Sequence, residues 1–223
     1  RMAIQNQPIF GTTVTRVCFG CSGPRPVLRG PWVHSFSMTV SAESIEVENV
    51  VASSDVGQEL ALESLAMDLE GSDYDPENFP GLVYRMHDPK AAALIFRSGK
   101  VVCTGAKSVD DVEVALGQVF DELRSLGVEV DDSPAIHVQN IVSSADLKAN
   151  LNLNAIAIGL GLEHIEYEPE QFPGLVYRLD DPDVVSLLFG SGKLVITGGK
   201  QLTDAEEALT VIKDQLNDLG LLE

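Results

Sequence analysis

From Ile45 to the C-terminus, runs of strand-like polarity are interrupted by apolar stripes of helical spacing. Ile45 to Ser53 alternates as a strand does. Asp55 then reads as a helix N-cap, and Leu60, Leu62, Leu65, Ala66 and Leu69 make the stripe of a short helix. Gly71-Ser-Asp-Tyr-Asp-Pro76 breaks it. Three strand-like runs follow, Leu82 to Met86, Ala91 to Phe96 and Lys100 to Thr104, with turns at Asp88-Pro89 and Ser98-Gly99. Ser108 with Asp111 caps a long helix striped by Val112, Leu116, Val119, Phe120, Leu123 and Leu126, and Gly127 ends it. Asp131-Asp-Ser-Pro134 is a joint. Beyond it the order replays: a strand over 136–143, a helix near 148–160, strands through 175–197, and a last helix from Thr203 to Leu219.

The replay is a direct repeat. Phe79-Pro-Gly-Leu-Val-Tyr-Arg85 returns as Phe172-Pro-Gly-Leu-Val-Tyr-Arg178, and Phe96-Arg-Ser-Gly-Lys-Val-Val-Cys-Thr-Gly-Ala-Lys107 as Phe189-Gly-Ser-Gly-Lys-Leu-Val-Ile-Thr-Gly-Gly-Lys200, both at an offset of 93 residues. Asn49-Val-Val-Ala-Ser53 returns as Asn140-Ile-Val-Ser-Ser144 at an offset of 91. Two copies are too few for a solenoid, so the pattern predicts a pseudo-twofold pair of units, each with about five strands and two helices, joined edge to edge. The expected boundaries are 38–132 and 133–223.

One-sided helices cover only one face of an antiparallel sheet, and the other face should turn polar. Here it does not. Leu94 and Phe96 point opposite to Ile95, Leu187 and Phe189 opposite to Leu188, and Val102 and Thr104 opposite to Val101 and Cys103. Either both faces are buried, by the other repeat or by a dimer, or an apolar face awaits a ligand. Arg85, Lys100, Lys107, Arg178, Lys193 and Lys200 recur at matching positions, and Lys100 shares the parity of Val102 and Thr104. Cations rimming an apolar strip suit the minor groove of a duplex.

Net charge complicates that picture. The chain of 223 residues carries −19 at neutral pH, where nucleic-acid binders usually show a basic footprint. The charges are segregated, however. Residues 1–37 hold four arginines and no acid, and eight of the remaining basic residues lie between Arg85 and Lys107 or between Arg178 and Lys200. Acids crowd elsewhere, as in Glu59 to Asp75 and Asp204 to Asp218. Such a carboxylate surface suits a saline cytoplasm and predicts a halophilic source.

Residues 1–37, aperiodic and rich in Gly and Pro, are expected to be a disordered or mis-assigned extension, Met38 reading as a start. Cys18 and Cys21 with His34 cannot complete a zinc site. No apolar run reaches eighteen residues and no signal segment is evident, so an intracellular, cytoplasmic and nucleoid-associated protein is expected, without membrane contact. The glycines at 190, 192, 198 and 199 open neither a nucleophile elbow nor a phosphate loop, and His87, His137 and His164 lack metal spacing. No catalytic residue, metal or cofactor is expected.

Over about Ile45 to the C-terminus, the two long motifs resemble those of TATA-box-binding proteins of the archaeal type. The resemblance implies an α+β fold in which tandem repeats form a saddle-shaped ten-stranded antiparallel sheet with helices on the convex face. It implies a general transcription initiation factor that binds double-stranded DNA at a TATA-like promoter. Phe79, Phe96, Phe172 and Phe189 match the family's wedges, and Asn49, Asn140, Thr104 and Thr197 its central polar contacts. Val51, Val102, Val142 and Val195 match its groove-packing valines; Leu94 and Leu187 lie on the same strip. Arg85, Lys100, Arg178 and Lys193 match its phosphate contacts. The acidic loop with Glu166, Glu168 and Glu170 matches the surface that receives transcription factor B ahead of RNA polymerase, although surface acid alone also accounts for it. Glu48 departs from the pattern: it stands where the second repeat has Gln139, and would repel phosphate. A sheet protein binding a protein or an apolar ligand on its concave face is the alternative reading.

Overall fold

The computed structural model describes residues 45–161 and 163–222. The expected extension over 1–37, the start at Met38 and the Cys18, Cys21 and His34 reading lie outside the described residues.

Each repeat contributes five strands and two helices. The first comprises β1 (Glu46–Asp55), α1 (Leu62–Asp68), β2 (Ser72–Asp73), β3 (Gly81–His87), β4 (Lys90–Phe96), β5 (Lys100–Ala106) and α2 (Val109–Ser125). The second comprises β6 (His137–Asp146), α3 (Leu153–Leu160), β7 (Ile165–Glu166), β8 (Gly174–Asp180), β9 (Asp183–Phe189), β10 (Lys193–Thr197) and α4 (Leu202–Asp218). All ten strands form one antiparallel sheet in the order β2-β3-β4-β5-β1-β6-β10-β9-β8-β7, a sequence that reads as its own mirror about the β1–β6 seam. At that seam Val50 lies opposite Ile141, its own counterpart in the repeat, so a local twofold axis passes between them.

Alternation decides which face each residue takes. Ala91, Ala93 and Ile95 of β4, Val101 and Cys103 of β5, and Leu82 and Met86 of β3 are buried under α1 and α2, with Leu116, Val119, Phe120 and Leu123 of α2 closing the first core. Leu175, Leu179, Leu188, Leu194 and Ile196 meet Ile156, Leu209, Ile212 and Leu216 in the second. Burying each of the Val, Leu, Ile, Phe and Met side chains among them contributes about 1.5–3 kcal/mol. Ser108 caps α2 by accepting from the Asp111 N–H at 3.0 Å, and Asn152 caps α3 by accepting from the Ala155 N–H at 3.1 Å. Among the described residues no helix is long and apolar enough to cross a membrane.

Several expected elements shift. Asp55 is not an N-cap; it ends β1 and accepts from the Gly57 N–H at 2.7 Å. The chain then runs along the β4–β5 turn, with Val56 N–H donating to Gly99 at 2.9 Å and Leu60 N–H to Arg97 at 2.8 Å, so α1 begins only at Leu62. The same detour delays α3 from 148 to Leu153, through Leu147 N–H to Gly192 and Leu151 N–H to Gly190. Strand β6 extends past 143 because β10 pairs with Ser144, Ala145 and Asp146. Ser72 and Asp73, expected within a break, form the edge strand β2.

Candidate nucleic-acid interface

The face opposite the helices is uncovered by any described residue. Register assembles it in twofold-related rows. Arg85, Ala92 and Thr104 lie abreast, as do Val83, Leu94 and Val102; Arg178, Val185 and Thr197, and Val176, Leu187 and Val195, repeat them. Ala92, Leu94, Phe96, Val102, Val185, Leu187, Phe189 and Val195 are all half-exposed while their strand neighbours are buried. The apolar second face that the alternation predicts is therefore present and open.

At its centre Asn49 faces Val142 and Val51 faces Asn140, a square of two amides and two isopropyl groups about the local axis. Each amide is held in one orientation. Asn49 Oδ1 accepts from the Gly105 N–H at 2.7 Å, and Asn140 Oδ1 from the Gly198 N–H at 2.7 Å. A backbone N–H can only donate, so the oxygen faces the glycine, and the NH2 donates to the Thr104 hydroxyl at 3.2 Å or the Thr197 hydroxyl at 3.1 Å. The second amide hydrogen stays available. The threonines and asparagines that the sequence singles out are thus two linked pairs. The glycine anchors went unnoticed in the sequence, since an N–H donor leaves no residue-type signal.

Two aromatic pairs flank the centre. Phe79 and Phe96 meet edge to face at 5.8 Å and 61°, Phe172 and Phe189 at 5.9 Å and 67°. Phe79 and Phe172 are carried on loops tied by matching turns, Phe79 N–H to the Asp75 carbonyl and Phe172 N–H to the Glu168 carbonyl, both at 2.9 Å. Phe172 is 37% exposed, high for so apolar a group.

The cations divide into two kinds. Lys100 and Lys193 are exposed and have no ion pair among the described residues. Arg85 lies 3.9 Å from Asp73, and Arg178 donates to Glu166 at 3.1 Å, in both cases across the outermost strand pair. Glu166 was expected in an acidic loop; it belongs to β7, lies opposite Val176 and accepts diagonally from Arg178. Glu168 and Glu170 remain in the loop, exposed, with Glu168 accepting from the Gln171 side chain.

The two halves differ at one place. Glu48 accepts from the Ser144 hydroxyl at 2.8 Å and pairs with Lys107 at 3.1 Å, and these contacts, the hydroxyl first, hold its carboxyl below the usual glutamate range. In the second repeat Gln139 donates to the Ser53 hydroxyl at 3.0 Å instead, and the Lys200 ammonium makes no ion pair among the described residues. Ala92, Val185, Val83 and Val176 also belong to the face and were missed, although the parity of Leu94 and Leu187 reaches them.

Known proteins match this architecture. The profile of the family described as transcription factor TFIID, or TATA-binding protein, matches residues 44–126 and 135–219, one span per repeat. The TATA-box-binding protein of Haloarcula marismortui is 75% identical over 181 residues, covering 81% of this chain and 97% of that protein. TATA-box-binding protein E of Halobacterium salinarum is 72% identical over 186 residues, covering 83% and 100%. The solved structure of the Methanococcus jannaschii protein is 54% identical, covers 78% of this chain and 98% of that one, and superposes with a TM-score of 0.71. These relatives include proteins of halophilic archaea, in keeping with the acidic surface, and the family is one of transcription factors rather than enzymes. This chain belongs to the TATA-binding protein family of general transcription factors.

Proposed function

We propose that the chain binds an A·T-rich promoter element in the minor groove, bends it, and recruits transcription factor B and then RNA polymerase. The observation that carries this reading is the open apolar face with its aromatic pairs and exposed cations at twofold-related positions. Val51, Val102, Val142 and Val195, with Leu94 and Leu187, give a smooth strip that leaves no room for a guanine amino group. The NH2 groups of Asn49 and Asn140, turned outward by Gly105 and Gly198, offer donors to the adenine N3 and thymine O2 acceptors, the only polar edges that A·T pairs present there. Phe79, Phe96, Phe172 and Phe189 enter base steps at the two ends. Unstacking costs a few kcal/mol per step and is offset by the contact the bent duplex allows, a mode of which this family is itself a standard example.

Lys100 and Lys193 meet phosphates directly. Arg85 and Arg178 do so by exchanging Asp73 and Glu166 for phosphate, an easy exchange because exposed ion pairs hold weakly. Glu168 and Glu170 offer carboxylates to a basic surface of transcription factor B.

Fluorescence anisotropy in molar potassium chloride tests the reading. A duplex with a TATA-like element is compared with one carrying G·C at its centre. Preference for the A·T element, lost in the Phe79→Ala/Phe172→Ala variant, is expected. Equal or absent binding by the folded protein overturns it in favour of an apolar ligand.

A further inference from the structure

We propose that Gly81 and Gly174 are positioning residues that seat the two aromatic pairs, an inference that rests on the minor-groove reading and extends it. Each glycine opens a strand and lies directly opposite the inner phenylalanine of its pair, Gly81 across from Phe96 and Gly174 across from Phe189. A β-carbon at position 81 would stand 2.8 Å from Cε1 of Phe79 and 3.1 and 3.2 Å from Cε1 and Cδ1 of Phe96. At position 174 it would stand 2.7 and 3.2 Å from Cε1 and Cζ of Phe172 and 3.0 Å from Cε1 of Phe189. Carbon atoms rest at about 3.5–4.0 Å from one another, so a methyl group there would wedge the two rings apart.

Backbone conformation does not explain these glycines. Neither has a positive φ, unlike the turn glycines at 99 and 192. A strand glycine also weakens the ladder and adds disorder to the unfolded chain. Twice the chain accepts that cost at the same place, and twice the same two rings close over the spot a β-carbon would take. With no side chain beneath it, the inner ring settles over bare backbone, and the outer ring stands edge-on against the inner. The wedge is then a braced unit set before any duplex arrives, so few rotamers remain to be ordered on binding.

The test uses the full chain carrying Gly81→Ala, Gly174→Ala or both, beside the Phe79→Ala/Phe172→Ala variant. Four quantities are measured: the thermal midpoint, the ring–ring nuclear Overhauser effects of the free protein, affinity for the TATA-like duplex, and duplex bending by energy transfer between its ends. The expected result is an unchanged or raised midpoint, altered ring contacts only at the substituted end, an affinity loss of about tenfold per end, and a smaller bend. In a Phe79→Ala/Phe96→Ala background, Gly81→Ala should cost no further affinity, because both rings it displaces are gone.

Altered ring contacts with wild-type affinity and bending overturn the inference. So does unfolding of the alanine variants, which would show that the backbone itself requires glycine. If the double phenylalanine variant binds as tightly as wild type, the wedge reading fails, and the inference with it. If that variant loses binding while the glycine variants keep it, the inference alone fails.

Discussion

Repeat two carries two unpaired hydroxyls in its core where repeat one has alanine. Ser143 and Ser186 are wholly buried, and neither hydroxyl has a hydrogen-bond partner. They flank Ile196, one on each neighbouring strand, beneath helix α4. Their counterparts in repeat one are Ala52 and Ala93, also fully buried. A buried hydroxyl left unpaired costs about 1–3 kcal/mol, whereas replacing it with a methyl-sized apolar group removes that cost and little contact. Ser143→Ala and Ser186→Ala should therefore each stabilise the chain by about 1 kcal/mol, and together by about 2, since the two sites share no hydrogen bond. For a domain of this size each 1 kcal/mol raises the midpoint by about 2–4 °C. Guanidinium and thermal unfolding in constant molar potassium chloride would measure both. The reciprocal Ala93→Ser should lose about 1–3 kcal/mol. Destabilisation by either serine replacement would refute the reasoning, since it would mean that the hydroxyl makes a favourable bond in solution.

Three further outcomes follow from the structure. Glu48→Gln removes the carboxylate beside Lys107 and makes the first half of the face match the second; duplex binding should tighten at low potassium chloride and fall more steeply with salt, towards a slope of about −0.9 per phosphate contact. An unchanged slope in an anisotropy series would show that Glu48 does not face the phosphates. With its carboxyl held below the usual range, Glu48 stays ionised and paired as the pH drops from neutral through that range, and the pairing is lost only below it; a carboxyl carbon titration by NMR reads this directly. Gly192, at φ 86, has the Ala149 carbonyl oxygen 2.1 Å from where a β-carbon would sit, so Gly192→Ala should cost about 3 kcal/mol or more. A loss under about 1 kcal/mol in chemical unfolding would contradict that contact.

Much of this was legible before any coordinates. The stripe from Val112 to Leu123 and the alternation from Ala91 to Phe96 carry their own geometry, because period and burial are the same fact in a sheet covered on one side. The repeated motif supplied the twofold relation, and with it the number of strands. What stayed hidden depended on distant partners. Leu60 has the spacing of a helix stripe but sits in a loop, because Arg97 and Gly99 offer backbone bonds that hold the chain extended there. Ser72 and Asp73 look like a break and become a strand only through Tyr84 and Val83. Glu166 looked like one acid among three until Arg178 claimed it. In the interface, residue type marked the amides and the rings. The backbone N–H groups that orient the amides, and the closeness of the rings to the bare backbone of two glycines, have no letter in the sequence.

The seam between β1 and β6 has a consequence of its own. Because Val50 meets its own counterpart, one repeat presents an edge complementary to itself, and two separate copies could join through the same register. Such a pair of identical subunits would be blind to direction, presenting the same groups to either end of whatever lay across it. Joining the halves in one chain frees each to change alone. Glu48 against Gln139, and the Lys107 ammonium with an ion pair against the Lys200 ammonium with none among the described residues, are differences that two identical subunits could not hold. A covalent joint has turned a reversible surface into one with a left and a right.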